Sequence, residues 1–87
     1  MIKELVNKVK RNKLKNDLNE TDKKLEEAKK DLNYRIDMYK DYLTNDEYDL
    51  PDNLRSAFTT LIVSLNEEVD TINSIQLKRA EMSQYIR

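Results

Sequence analysis

Cysteine, histidine, glycine and tryptophan are all absent from this chain of 87 residues, and proline occurs once, at Pro51. Each absence excludes something. Without cysteine there is no disulfide and no thiolate metal site. Without histidine, the commonest transition-metal ligand and general base is gone. Without glycine, turns that need positive φ and loops that cradle phosphates lose their natural residue. That argues against sheets and for very few tight turns. No apolar run approaches the roughly 20 residues of a membrane span, and the N-terminus lacks the apolar core of a signal peptide. The expectation is a cytoplasmic protein that stays out of the membrane, holds no cofactor and no metal, takes no small-molecule substrate and is not an enzyme.

What is present is charge and helix-forming side chains. Charged residues make up 38% of the chain and apolar residues another 38%, the balance of long amphipathic helices. A chain this short buries only about 60–65% of its unfolded surface, so small folds lean on a crosslink, a metal or another chain. With the first two excluded, a dimer or a protein partner is the expected support, the dimer being favoured. The charge is unevenly spread. Residues 1–16 hold six bases against one acid, residues 17–53 twelve acids against six bases, and residues 54–87 four of each. The chain has a basic head, an acidic middle and a neutral tail.

The strongest periodic segment runs from Leu14 to Leu43. Leu14, Leu18, Thr21, Leu25, Ala28, Leu32, Ile36, Tyr39 and Leu43 all fall within about 40° of one line at 100° per residue. So narrow a stripe over that length predicts a helix. Its order suits a straight helix or an 11-residue repeat, with little left-handed supercoil. A second stripe takes in Leu54, Phe58, Leu61, Ile62, Leu65, Val69 and Ile72, then rotates through Ile75 and Met82 to Ile86. The stretch between is aperiodic. In it, Thr44 with Glu47 and Asp49 with Asp52 have capping-box spacing, and Pro51 suits the first turn of a helix. One domain is expected, with a basic amphipathic segment over 1–12, helix one over 13–44, a loop over 45–50 and helix two over 51–86.

Two long helices with a short connection pack antiparallel. The fold class is therefore all-α, a coiled-coil-like two-helix hairpin. Setting opposite each other positions whose numbers total about 97 pairs Leu43 with Leu54, Tyr39 with Phe58, Ile36 with Leu61, Leu32 with Leu65 and Leu25 with Ile72. It also pairs Thr21 with Gln76. Beyond Gln76 the match weakens, with Arg79 and Ser83 where a core would place leucine. Ile2, Leu5, Val6 and Val9 form a further stripe, about 120° out of phase with the one that starts at Leu14. Either the chain bends near residues 10–13 into a short third helix that covers Met82 and Ile86, or helix one continues and this face meets another molecule.

Several clusters are candidates for function. Lys8, Lys10, Arg11, Lys13 and Lys15 form a basic run that suits phosphates, though no aromatic side chain accompanies it for base stacking. The preferred account is a solvated face that balances acids elsewhere, including those of a second copy. The acidic loop residues Asp46, Glu47, Asp49 and Asp52 lack the glycine and ligand ladder of a calcium loop, and helix-terminal acids favoured by the macrodipole account for them. Glu67 and Glu68 diverge by 100° on a helix; Glu68 borders the core stripe and suits a cation on a partner helix. Tyr34, Met38 and Tyr42 recur at i, i+4, i+8, residue types enriched in interface cores. With Ile2, Leu5, Val9, Met82 and Ile86 they make the expected partner-binding set.

Two families of short helical hairpins are set aside on residues. The secreted hairpins with a Trp-x-Gly turn need two residue types that this chain lacks, and the small hairpin phosphatases with Ser-x-x-x-Asp on the second helix differ from Ser64 to Asp70 in spacing. The function expected is a non-enzymatic protein–protein interaction module, in the manner of the small inhibitors and adaptors of phages and plasmids, docking one helix face on a larger protein. The alternative is a dimeric, nucleic-acid-associated regulator that uses the basic run.

Overall fold

A computed structural model describes the backbone of residues 2–85 and the side chains of residues 7–85. It contains two helices: α1, Ile2–Thr44, and α2, Asp52–Met82. They lie side by side as an antiparallel hairpin, a rod 71 Å long and 17 by 15 Å across. This is the all-α two-helix hairpin that the periodicity predicts. α1 passes through residues 10–13 without a break, so among the described residues there is no third helix. Neither glycine nor proline interrupts that stretch, and nothing in it costs enough to bend a helix. α2 stops at Met82, short of the expected 86, with residues 83–85 in a turn.

The buried seam differs from the sequence stripe in an informative way. Along the seam the shielded positions are Leu18, Asp22, Leu25, Lys29, Leu32, Ile36, Tyr39 and Leu43 on α1, with Met38 and Tyr42 shielded beside them, and Phe58, Ile62, Leu65, Val69, Ile72, Gln76 and Arg79 on α2. Both seam runs, Met38 and Tyr42 aside, alternate spacings of four and three, which is a heptad seam. It replaces the 11-residue reading, and heptad order goes with left-handed supercoiling. Thr21 and Ala28 are exposed, and Asp22 and Lys29 stand on the seam in their place; Leu61 likewise gives way to Ile62. The reason is the partner. A helix facing one neighbour closes best when every knob recurs at 3.5 residues, and α2 keeps that period without exception.

The register is fixed at both ends. Tyr39 stacks on Phe58 with ring centroids 5.4 Å apart, and Arg79 Nε donates to the carbonyl of Leu18 at 3.4 Å. Both are pairs that the register test sets opposite. The expected Thr21–Gln76 pair is not made: the Thr21 hydroxyl donates to the carbonyl of Asp17 on its own helix. Among the described residues only Ile36 is buried, at 4% exposure, because a two-helix seam covers one stripe of each helix and leaves the flanks open.

The connection is built without positive φ, as a glycine-free chain requires. The Asn45 side chain accepts from the amide of Glu47 at 3.0 Å, an Asx turn. Pro51 is the N-cap of α2 rather than a residue of its first turn, and it makes no side-chain cap bond. Neither expected capping box forms; the Thr44 hydroxyl donates backward to the carbonyls of Lys40 and Asp41. Arg55 closes the junction instead. Its Nη1 donates to the carbonyl of Leu43 at 3.3 Å and its Nε to that of Leu50 at 3.4 Å. A cation at the C-terminal carbonyls of α1, where that helix has no base of its own in its last turn, answers both their unmet hydrogen bonds and the helix dipole.

Candidate functional site

The hairpin has two halves of different chemistry. Near the loop the seam is aromatic and aliphatic. Tyr42 sits 4.9 Å from Tyr48 in an edge-on pair and 5.9 Å from Phe58, and Tyr39 bridges to both Tyr42 and Phe58. Such rings attract through their quadrupoles beyond the area they bury. Toward the open end the seam turns polar. Lys29 Nζ donates to Gln76 Oε1 at 3.0 Å and to Asn73 Oδ1 at 3.4 Å. Gln76 Nε2 donates to Glu26 Oε2 at 3.0 Å, and Arg79 lies 3.3 Å from Asp22. That bond from Gln76, followed by the charge of Lys29, holds the Glu26 carboxyl below its ordinary value. No buried side-chain nitrogen or oxygen among the described residues lacks a hydrogen bond, so the polar half is a satisfied network.

A heptad seam divides the rest of each helix into flanks, and in an antiparallel pair like flanks share a side. The contacts just described identify one side, since they bring Glu26 and Asn73 together. Heptad steps from these two run through Asn19, Asn33 and Lys40 on α1 and through Thr59, Asn66 and Ala80 on α2. This flank is polar except at Ala80, and at the open end it holds an open groove of about 550 Å³ between Asn19, Glu26 and Ala80. The opposite flank carries Leu14, Thr21, Ala28, Arg35 and Tyr42 on α1, and Leu54, Leu61, Glu68, Ile75 and Met82 on α2. Its α2 edge is apolar at four of five positions, and Leu54, Leu61, Ile75 and Met82 are 41–44% exposed. An apolar seam plus one apolar flank is the width that a helix shows inside a bundle, wider than a two-stranded seam needs.

Among the expected partner-binding residues, Met82 belongs to this apolar flank. Tyr34 projects outward at 69% exposure, away from both flanks, whereas Tyr42 is committed to the intramolecular aromatic cluster and Met38 is half-buried. Of the three, Tyr34 is exposed and the other two are half-buried. Val9 is exposed on the α1 backbone. The side chains of Ile2 and Leu5, and all of Ile86, lie outside the described residues. Lys8, Lys10, Arg11, Lys13 and Lys15 are all exposed. The seam register sets the end of α2 level with Leu14 and Lys15, so Lys8, Lys10, Arg11 and Lys13 lie beyond the last residue of that helix while Lys15 stands beside Arg79 and Ser83. Leu54, Leu61 and Ile75 were absent from the expected set. The signal for them is their step of seven residues, which the seam residues between them obscure.

Among the described residues no group of three acidic side chains is placed to hold a metal, and no helix is long and apolar enough to cross a membrane. No known protein family, curated protein or solved structure matches the chain significantly.

Proposed function

We propose that this chain is a non-enzymatic protein-interaction module, an inhibitor or adaptor in kind, that docks through the apolar flank of its hairpin. The observation that carries this is the asymmetry of the two flanks. One is polar at every heptad step but Ala80; the other leaves Leu54, Leu61, Ile75 and Met82 half-open to water. Exposed apolar side chains gathered on one face mark a protein contact. A cytoplasmic setting fits a chain without cysteine. A photo-crosslinking residue at Leu61 or Ile75 tests the reading against the same residue at Asn66 or Asn73. Crosslinks to polypeptide from the first pair and none from the second are expected. Equal labelling from both flanks, or none from either, would remove it.

A second reading rests on the overhang. Five exposed cations, four of them on the segment of α1 beyond the end of α2, offer phosphates an accessible line of charge. Binding of this kind falls steeply with salt. Titration with duplex DNA and with RNA at about 50 and 200 mM salt decides it; no binding at the lower concentration excludes it.

A further inference from the structure

We infer that the occupant of the apolar flank is a second copy of this chain, packed antiparallel to the first in a four-helix bundle. The inference rests on the reading of the hairpin as an interaction module and names its partner. Three observations point to it.

The first is the charge at the centre of the flank. Among its apolar positions stand two charges, Arg35 on α1 and Glu68 on α2. The register places Glu68 level with Ala28, one heptad from Arg35 along the rod. Glu68 makes no ion pair among the described residues, and the one ion pair of Arg35 among them is with Asp31 of its own helix, at 3.2 Å. A two-fold axis across the rod midway between these two layers sends each onto the other. Arg35 and Leu61 of one copy then share a layer with Ala28 and Glu68 of the second, and the small Ala28 leaves room for the two charges to meet. One self-complementary patch making the same contact twice is the isologous geometry of a dimer.

The second is the next layer. The same axis brings Thr21 and Ile75 of one copy to Tyr42 and Leu54 of the second, so the apolar residues of the two ends cover each other. The third lies at the tips. Residues 1–16 carry a net +5, and the axis lays Arg11, Lys13 and Lys15 beside the loop of the second copy, where Asp46, Glu47, Asp49 and Asp52 are exposed. A parallel arrangement would set basic head beside basic head and acidic loop beside acidic loop, which like-charge repulsion opposes. The uneven charge of the chain is thus what fixes the direction of the pair.

Light scattering on the purified full chain should give twice the 10.4 kDa of one copy. Leu61→Glu should return it to a monomer with its helical circular dichroism retained. Arg35→Glu alone and Glu68→Arg alone should each weaken the dimer at least roughly tenfold, and the two together should restore it. That rescue cannot come from the Asp31 contact, which the double variant leaves broken. Direction is read from a spin label on Asn16→Cys, the one cysteine of such a chain. Antiparallel copies place the two labels about 45 Å apart and parallel copies within about 25 Å, given 1.5 Å of rise per residue and the helix diameter. A monomer at every concentration, charge swaps without rescue, or the short distance would each overturn the inference. A monomer whose Leu61 position still crosslinks to another polypeptide would overturn the second copy and leave the interaction module standing. Loss of all crosslinks would remove both.

Discussion

Arg79 on α2 crosses the seam to Asp22 on α1 at 3.3 Å, with only 12% of its own side chain exposed against 46% for the carboxylate. A guanidinium on a heptad seam is there because its stem packs and its head reaches out to a wet acid and a backbone carbonyl. Half-buried pairs of this sort add little net stability compared with apolar side chains of similar volume. Replacing both with leucine should therefore raise the thermal midpoint, by about 1–3 kcal/mol of stability. Arg79→Ala alone should cost about 1 kcal/mol, because Asp22 keeps access to water. Thermal melts of the three variants at one protein concentration check this.

At the other end of the seam the Tyr39–Phe58 stack fixes the register. Phe58→Ala removes a half-buried ring that touches both Tyr39 and Tyr42, and a loss of about 2 kcal/mol is expected, below the range for fully buried rings. In a domain of this size that lowers the melting temperature by roughly 10 °C. A double-mutant cycle with Tyr39→Ala should return about 1 kcal/mol of coupling, as aromatic pairs do. A coupling of zero would mean that the rings are neighbours without mutual attraction.

Much of this fold was legible in the residues. Leu25, Leu32, Ile36, Tyr39 and Leu43 lie on both the predicted stripe and the observed seam, and the pairing of Tyr39 with Phe58 follows from counting. The miss at Thr21 and Ala28 has a physical cause. Hydropathy alone prefers threonine and alanine to the neighbouring Asp22 and Lys29, since an isolated charge on a seam costs free energy. The cost vanishes once α2 supplies Gln76, Asn73 and Arg79 at matching heights, and a pairing across the hairpin is invisible to the period of one helix. The same blindness hid the apolar flank. Leu54, Leu61 and Ile75 read as part of a broad stripe until the register assigned Phe58, Ile62 and Ile72 to the seam and left the others outside it.

The turn depends on one side chain more than on its own sequence. Arg55 spans the carbonyls of Leu43 and Leu50, and no other side chain is seen to reach either. Arg55→Ala should cost about 1 kcal/mol through the lost hydrogen bonds and the lost cation at the α1 C-terminus. Arg55→Lys should recover only part of it, since an ammonium lacks the fork that spans two acceptors. Amide exchange should localise the effect, speeding in residues 41–50 and leaving the Leu25–Ile72 region unchanged.

Acid should loosen the open end through Glu26. Its carboxyl is held below the ordinary value of 4.5, first by the bond from Gln76 and then by Lys29. A lowered folded value means that the charged form is the one that folding favours. That contribution is complete above about 4.5, the unfolded value, and disappears as pH falls through the lower folded value. Glu26→Gln keeps the amide contact with Gln76 and removes the titration. Between pH 5 and pH 3 the melting temperature of the parent chain should therefore fall further than that of the variant, while above pH 6 the parent should be the more stable of the two. Parallel curves across the whole range would mean that the Gln76–Glu26 bond contributes nothing to holding the polar half of the seam together.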